Sequence, residues 1–216
     1  MRDLCFIKYN DALGHIKEGD VLLFRKPKSW VSGLIRAYGD SLYSHVGLAS
    51  WVYSRMGMPE TLECLEFKEW IGSRAVNLRN YVKQFNGHID VFAPAPYFMK
   101  SVWDCETQSR KQEKIFFRGK LLTNELRGLT GLPYGWSRIW TMAVRGFFSY
   151  RLLFANPADY DDKLEDEPYP VCSSIISWCF SKHFVDLVPQ FDDRLVSPGR
   201  VASSSLLTYQ FTLTSG

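Results

Sequence analysis

Two short stretches far apart in the chain set the tightest limits on how it can fold. Tyr43-Ser44-His45-Val46-Gly47-Leu48-Ala49 alternates about small residues, which is the pattern of a strand whose faces are approached closely. Tyr169-Pro170-Val171-Cys172-Ser173-Ser174-Ile175-Ile176-Ser177-Trp178 places a proline at the entry to an apolar helix. A histidine strand early and a cysteine helix late fit a mixed order: a strand-rich first half, a helical middle, the cysteine helix and a closing strand.

The segments between agree with that order. Ile16–Phe24 is a Gly-Asp turn feeding a buried strand, and Ser29–Tyr38 has helical spacing at Trp30, Val31, Leu34, Ile35 and Tyr38. Strands are expected at Thr61–Phe67 and at Ile89–Phe92, the latter stopped by Pro94-Ala95-Pro96. Lys111–Gly128 reads as a helix of mixed charge. Trp136–Phe154 interleaves aromatic residues with Arg138, Arg145 and Arg151, Asp159–Glu167 is acidic, and Leu206–Leu213 reads as a closing strand. No internal repeat is visible. We expect one domain over residues 1–216, with a helical and aromatic insertion or cap at about 100–168.

Composition narrows the function. The hydrophobic fraction of 46% supports a core, and a net charge of +3 does not argue for nucleic acid. No window reaches the roughly 18 apolar residues of a membrane span, and the N-terminus has no apolar run of signal-peptide length. The 5 cysteines are odd in number and lack CxxC spacing, which disfavours a disulfide framework and a standard zinc site. Synthesis in a reducing cytoplasm is expected, compatible with later release by lysis or incorporation in a particle. No metal or organic cofactor is implied.

Cys172 at the start of an apolar helix sits where the dipole and free N–H groups favour thiolate and oxyanion alike. The commoner fate of a free cysteine is that of a small buried hydrophobe, and Cys179, two turns deeper between Trp178 and Phe180, suits that role. Cys5, Cys64 and Cys105 have no comparable setting. A lone strand histidine is more often structural, but His45 has small neighbours that leave room for a helix end. His15 and His88 lie in turn-like contexts, and His183 lies late in the Cys172 helix. A thiol nucleophile and its imidazole base need spatial, not sequential, adjacency. A third group must orient the base. Glu63 and Glu66 lie on opposite faces of their strand, so only one points at His45. With Leu62 and Cys64 facing the far layer, Glu63 faces the imidazole.

Taken together, Gly19-Asp20-Val21-Leu22-Leu23, Tyr43-Ser44-His45-Val46-Gly47, Leu62-Glu63-Cys64, Leu132-Pro133-Tyr134-Gly135-Trp136, Val171-Cys172-Ser173-Ser174 and Leu195-Val196-Ser197-Pro198-Gly199 resemble the circularly permuted, NlpC-like branch of the papain-like cysteine peptidases. That branch includes the YiiX-like hydrolases and, more distantly, lecithin retinol acyltransferase. The resemblance spans roughly residues 16–97 and 130–213. It implies an α+β, papain-like fold of permuted topology, with an antiparallel sheet packed on a late nucleophile helix. It also implies Cys172 as nucleophile, His45 as base and Glu63 as the third residue, with Tyr43, Tyr134 and Ser173 lining the substrate site. The implied activity is that of a cysteine hydrolase cleaving an amide bond through a thioester, with a cell-wall peptidoglycan peptide as the expected substrate and a phage or virion setting in keeping with the missing signal peptide. The alternatives are an acyltransferase or deacylase acting on a lipid-linked amide with the same pair, and a non-catalytic assembly subunit. The 100–168 segment departs from the family core.

Overall fold

The computed structural model describes residues 4–25, 41–69, 71–105, 108–133, 172–183, 185–189, 192–193 and 196–215. The expected helix at Ser29–Tyr38, Tyr134, and the Trp136–Phe154 and Asp159–Glu167 segments lie outside them.

Val21-Leu22-Leu23-Phe24 is apolar at every position, with no polar face to turn toward water. A strand of that kind must be covered on both sides, and these four residues are fully buried. They form β2 (Val21–Arg25), the middle strand of a seven-stranded sheet. Its members in chain order are β1 (Phe6–Lys8), β2, β3 (His45–Tyr53), β4 (Pro59–Lys68), β5 (Gly72–Asn77), β6 (His88–Pro94) and β9 (Leu207–Thr214), in the spatial order β1-β9-β6-β2-β3-β4-β5. All neighbours pair antiparallel except β1 and β9, which run parallel. The fold is therefore α+β on a largely antiparallel sheet. β7 (Tyr97–Asp104) and β8 (Ser109–Phe116) form a separate two-stranded sheet.

Period-two alternation divides the sheet's side chains between two cores. Val21, Leu23, Val46, Leu48, Leu65 and Phe67 face a layer built by α3 (Gly119–Gly128) and α4 (Cys172–Lys182). Leu22, Phe24, Ala49, Leu62 and Cys64 face the opposite layer, closed by α1 (Tyr9–Ala12) and α2 (Leu78–Gln84). Helix α4 is buried nearly all round, as an apolar helix without a polar stripe should be. Two of its serines bond inside the protein: Ser173 Oγ donates to the Val196 carbonyl at 2.6 Å, and Ser177 Oγ to Asp193. The last helix, α5 (Pro198–Ala202), begins with Pro198 behind a Ser197 cap whose Oγ accepts from Arg200 N.

The expected strands at Thr61–Phe67 and Ile89–Phe92 are present within longer strands, the closing strand lies one residue later than expected, at Leu207–Thr214, and the Cys172 helix is present. The expected helix at Lys111–Gly128 is corrected. Residues through Phe116 are strand, and only Gly119–Gly128 is helical. Cross-strand pairing with β7 outweighs the helical preference of the lysine- and glutamate-rich run.

Candidate functional site

His45 is the first residue of β3 and Cys172 the first of α4, so a strand start and a helix start meet. Both side chains are buried, with 2% and 3% of each residue exposed. The imidazole Nε2 lies 2.6 Å from Glu66 Oε2. That leaves Nδ1 for the sulfur, and the buried Nδ1 has no hydrogen bond of regular geometry among the described residues. The Cys172 sulfur is nevertheless near enough to act on the ring. Burial opposes the charged imidazole, but the Glu66 carboxylate and the Cys172 sulfur outweigh it and push His45 up to about 10.

Glu66 is fully buried and is held from three sides. Arg74 Nε and Nη2 donate to Oε1 at 2.8 and 2.6 Å, and the Tyr81 hydroxyl donates to Oε2 at 2.9 Å, beside His45. Desolvation raises the carboxyl, and the His45, Lys68 and Arg74 charges bring it down to about 2. Burial and the neighbouring carboxylate raise the Tyr81 phenol, keeping it a neutral donor. The array is thus an imidazolium clamped to a carboxylate that is itself clamped to a guanidinium.

Strand register explains why Glu66 occupies this place. Gly47 pairs with Glu66, so His45, two residues along, shares the face of Glu66 and lies diagonal to it. Glu63 was expected to orient the ring, and the structure corrects this. Glu63 points to the opposite face, where Arg127 Nη1 donates to its Oε2 at 2.8 Å. Arg127 also donates to Ser50 Oγ, and Ser50 and Thr123 donate to Glu18, so that cluster ties α3 to the sheet. The expectation failed because Leu62 and Cys64 do not face away from His45. They share its face, which is itself covered by α2. Likewise the space beside Gly47 is filled by β4, since a Cβ there would meet Cys64 Sγ at 2.7 Å and the Leu65 carbonyl at 2.8 Å.

Tyr43, expected to line the substrate site, sends its hydroxyl to Asp90 Oδ2 at 2.7 Å and sets its ring edge-on to Phe92. Asp90 is fully buried and also accepts from Arg25 Nη2 at 2.7 Å and Thr212 Oγ1 at 2.6 Å. This cluster anchors the approach to His45. Ser173 was also expected at the substrate site. It is buried and bonded to Val196, so it fixes α4 against the segment before α5. Arg74, Tyr81 and Asp90 were missed by sequence reasoning. The signal for Arg74 was its place opposite Glu66 across β4 and β5, visible only once the register is known.

No family model matches the sequence, and no curated protein matches it. Among solved structures, the chain is similar to the crystal structure of metalloprotein yiiX from Escherichia coli O157:H7, a DUF1105 protein. The TM-score is 0.51 at 16% identity, covering 90% of this chain and 96% of that one. The likeness is one of fold, and this chain shares a YiiX-like fold. Among the described residues no group of three or more His, Cys, Asp or Glu side chains is placed to hold a metal ion. Both oxygens of Glu66 are already taken by His45, Arg74 and Tyr81, so this donor set does not fit a metal. Among the described residues no helix is long and apolar enough to cross a membrane.

Proposed function

We propose that the chain is a cysteine hydrolase of the permuted, papain-like kind, acting on an amide bond through a thioester acyl-enzyme. The observation that carries this reading is the placing of buried His45, the start of β3, beside buried Cys172, the start of α4, with its Nε2 2.6 Å from Glu66. In the reaction the Cys172 thiolate attacks the carbonyl carbon, and N–H groups of the first turn of α4 receive the oxyanion. His45 gives its proton to the departing amine as the C–N bond breaks, leaving a thioester and a neutral imidazole. The imidazole then takes a proton from water, whose oxygen attacks the thioester. The acid leaves, and the thiolate–imidazolium pair is restored. Glu66 holds the ring so that Nδ1 faces sulfur, and Arg74 and Tyr81 hold Glu66. The resemblance favours a peptide or amide bond of cell-wall peptidoglycan as substrate.

Intact-mass spectrometry after incubation with peptidoglycan fragments, and separately with lipid acyl donors, tests this reading. A fragment adduct on the wild type that is absent from Cys172→Ala is the expected result. An adduct from the lipid donors alone would move the assignment to acyl transfer, and turnover retained by Cys172→Ala would remove the nucleophile.

A further inference from the structure

The sheet of β7 and β8 stands apart from the seven-stranded sheet, and its two faces differ in kind. Register pairs Tyr97 with Phe116, Met99 with Lys114, Ser101 with Gln112 and Trp103 with Arg110, so these eight residues share one face. Its large apolar members are exposed: Tyr97 44%, Met99 57%, Trp103 59% and Phe116 63%. Its only charges are Arg110 and Lys114. The strand carboxylates, Asp104 and Glu113, fall on the other face, where Phe98 enters the core. Lys114 Nζ lies 3.8 Å from the Tyr97 ring centroid and 5.2 Å from that of Phe116, so the cation is set among the aromatic rings.

A pocket of about 340 Å³ lies at the base of this hairpin. Its walls include Ile115, Phe117, Leu121 and Phe180, and Lys114 and Arg118 supply its positive charge. Phe180 is eight residues beyond Cys172, about 12 Å along α4, so the pocket is distinct from the Cys172–His45 site. Apolar walls with cations suit an acyl chain beneath an anionic headgroup.

We propose that the outer face of β7 and β8 docks on an anionic lipid surface. Aromatic and methionine side chains enter the interfacial region, and Arg110 and Lys114 meet the headgroups. A second copy of the chain fits the face less well. Two-fold pairing of a patch whose charges are all positive would bring like charges together. The inference is independent of the chemistry proposed for Cys172.

Co-sedimentation of the full chain with phosphatidylcholine vesicles, with and without phosphatidylglycerol, tests it. The wild type should bind the anionic vesicles more strongly, and added salt should weaken that binding. Trp103→Ser, and Arg110→Glu combined with Lys114→Glu, should each lower the partition coefficient about tenfold or more, with unchanged melting temperatures. Lys111→Glu alters charge on the opposite face and should leave the partition near wild type, as should Cys172→Ala. The proposal is overturned if the wild type stays in the supernatant, or if Lys111→Glu acts as strongly as the combined Arg110→Glu and Lys114→Glu variant. It is also overturned if sedimentation equilibrium without lipid shows a dimer that Trp103→Ser dissolves.

Discussion

The carboxylate of Glu66 receives hydrogen bonds from His45, Arg74 and Tyr81 while fully buried, so its charge cannot be removed cheaply. Glu66→Gln leaves a guanidinium and an imidazolium without their common counter-ion, and breaking such a buried pair costs about 3–5 kcal/mol. Glu63→Gln disturbs a half-exposed pair with Arg127 and should cost about 0–1 kcal/mol. Urea unfolding of the two variants checks the ranking, and equal losses would show that Glu66 is not the buried anchor. The same pair sets a pH window. His45 rises from 6.5 to about 10 in the folded chain, so its contribution is complete below pH 6.5 and fades as pH climbs through 10. Glu66 falls from 4.5 to about 2, so its contribution is complete above pH 4.5 and fades as pH drops through 2. The melting-temperature gap between wild type and His45→Ala should therefore be widest near pH 4.5–6.5 and narrow toward pH 10. A gap that closes near the unfolded histidine value would mean that the ring is not held charged. Burial pushes Cys179 up to about 12 and raises Cys64 as well. Both should resist iodoacetamide at neutral pH until denaturant is added, as peptide mapping would show.

At the scale of elements, α4 serves both as the second layer of the core and as the carrier of Cys172. Phe180 is 1% exposed and stacks on Phe117 at 5.9 Å, joining the helix to the chain that leads into α3. Phe180→Ala should cost about 3–5 kcal/mol. Helix α3 begins where two glycines lie back to back. A Cβ at Gly119 would fall 1.8 Å from the Glu18 carbonyl, and one at Gly19, whose φ is +84°, would fall 2.7 Å from Gly119 Cα. Gly119→Ala must push α3 off that turn and should cost about 1–3 kcal/mol as overpacking. Chemical denaturation measures both effects, and a neutral Gly119→Ala would mean that the turn yields freely.

Across the whole molecule the first and last of the described strands are joined. β1 pairs with β9 through Phe6 and Thr212, and Thr212 N donates to the Cys5 carbonyl at 2.7 Å. Removing the segment through Lys8 uncovers the edge of β9, a row of free backbone groups that invites pairing with other chains. Light scattering on heating should rise earlier for that truncation than for the full chain.

The strands around Val21, His45 and Ile89, the closing strand and the Cys172 helix were legible from local pattern alone, because burial on one face or two imposes a period on the side chains. Cys172 and His45 were singled out by the family resemblance more than by local pattern, since a free cysteine in an apolar helix and a lone histidine in a strand are more often structural. The partner of His45 was not legible. Choosing between Glu63 and Glu66 depends on parity across β3 and β4, and the sheet is buried on both faces, so apolar neighbours do not reveal which face His45 occupies. Lys111–Phe116 was misread as helix for a related reason, since its strand state depends on pairing with β7. Local periodicity determined most of the elements. Tertiary structure decided the faces, the register and the Glu66–Arg74–Tyr81 clamp, because those are relations between strands that no single segment carries.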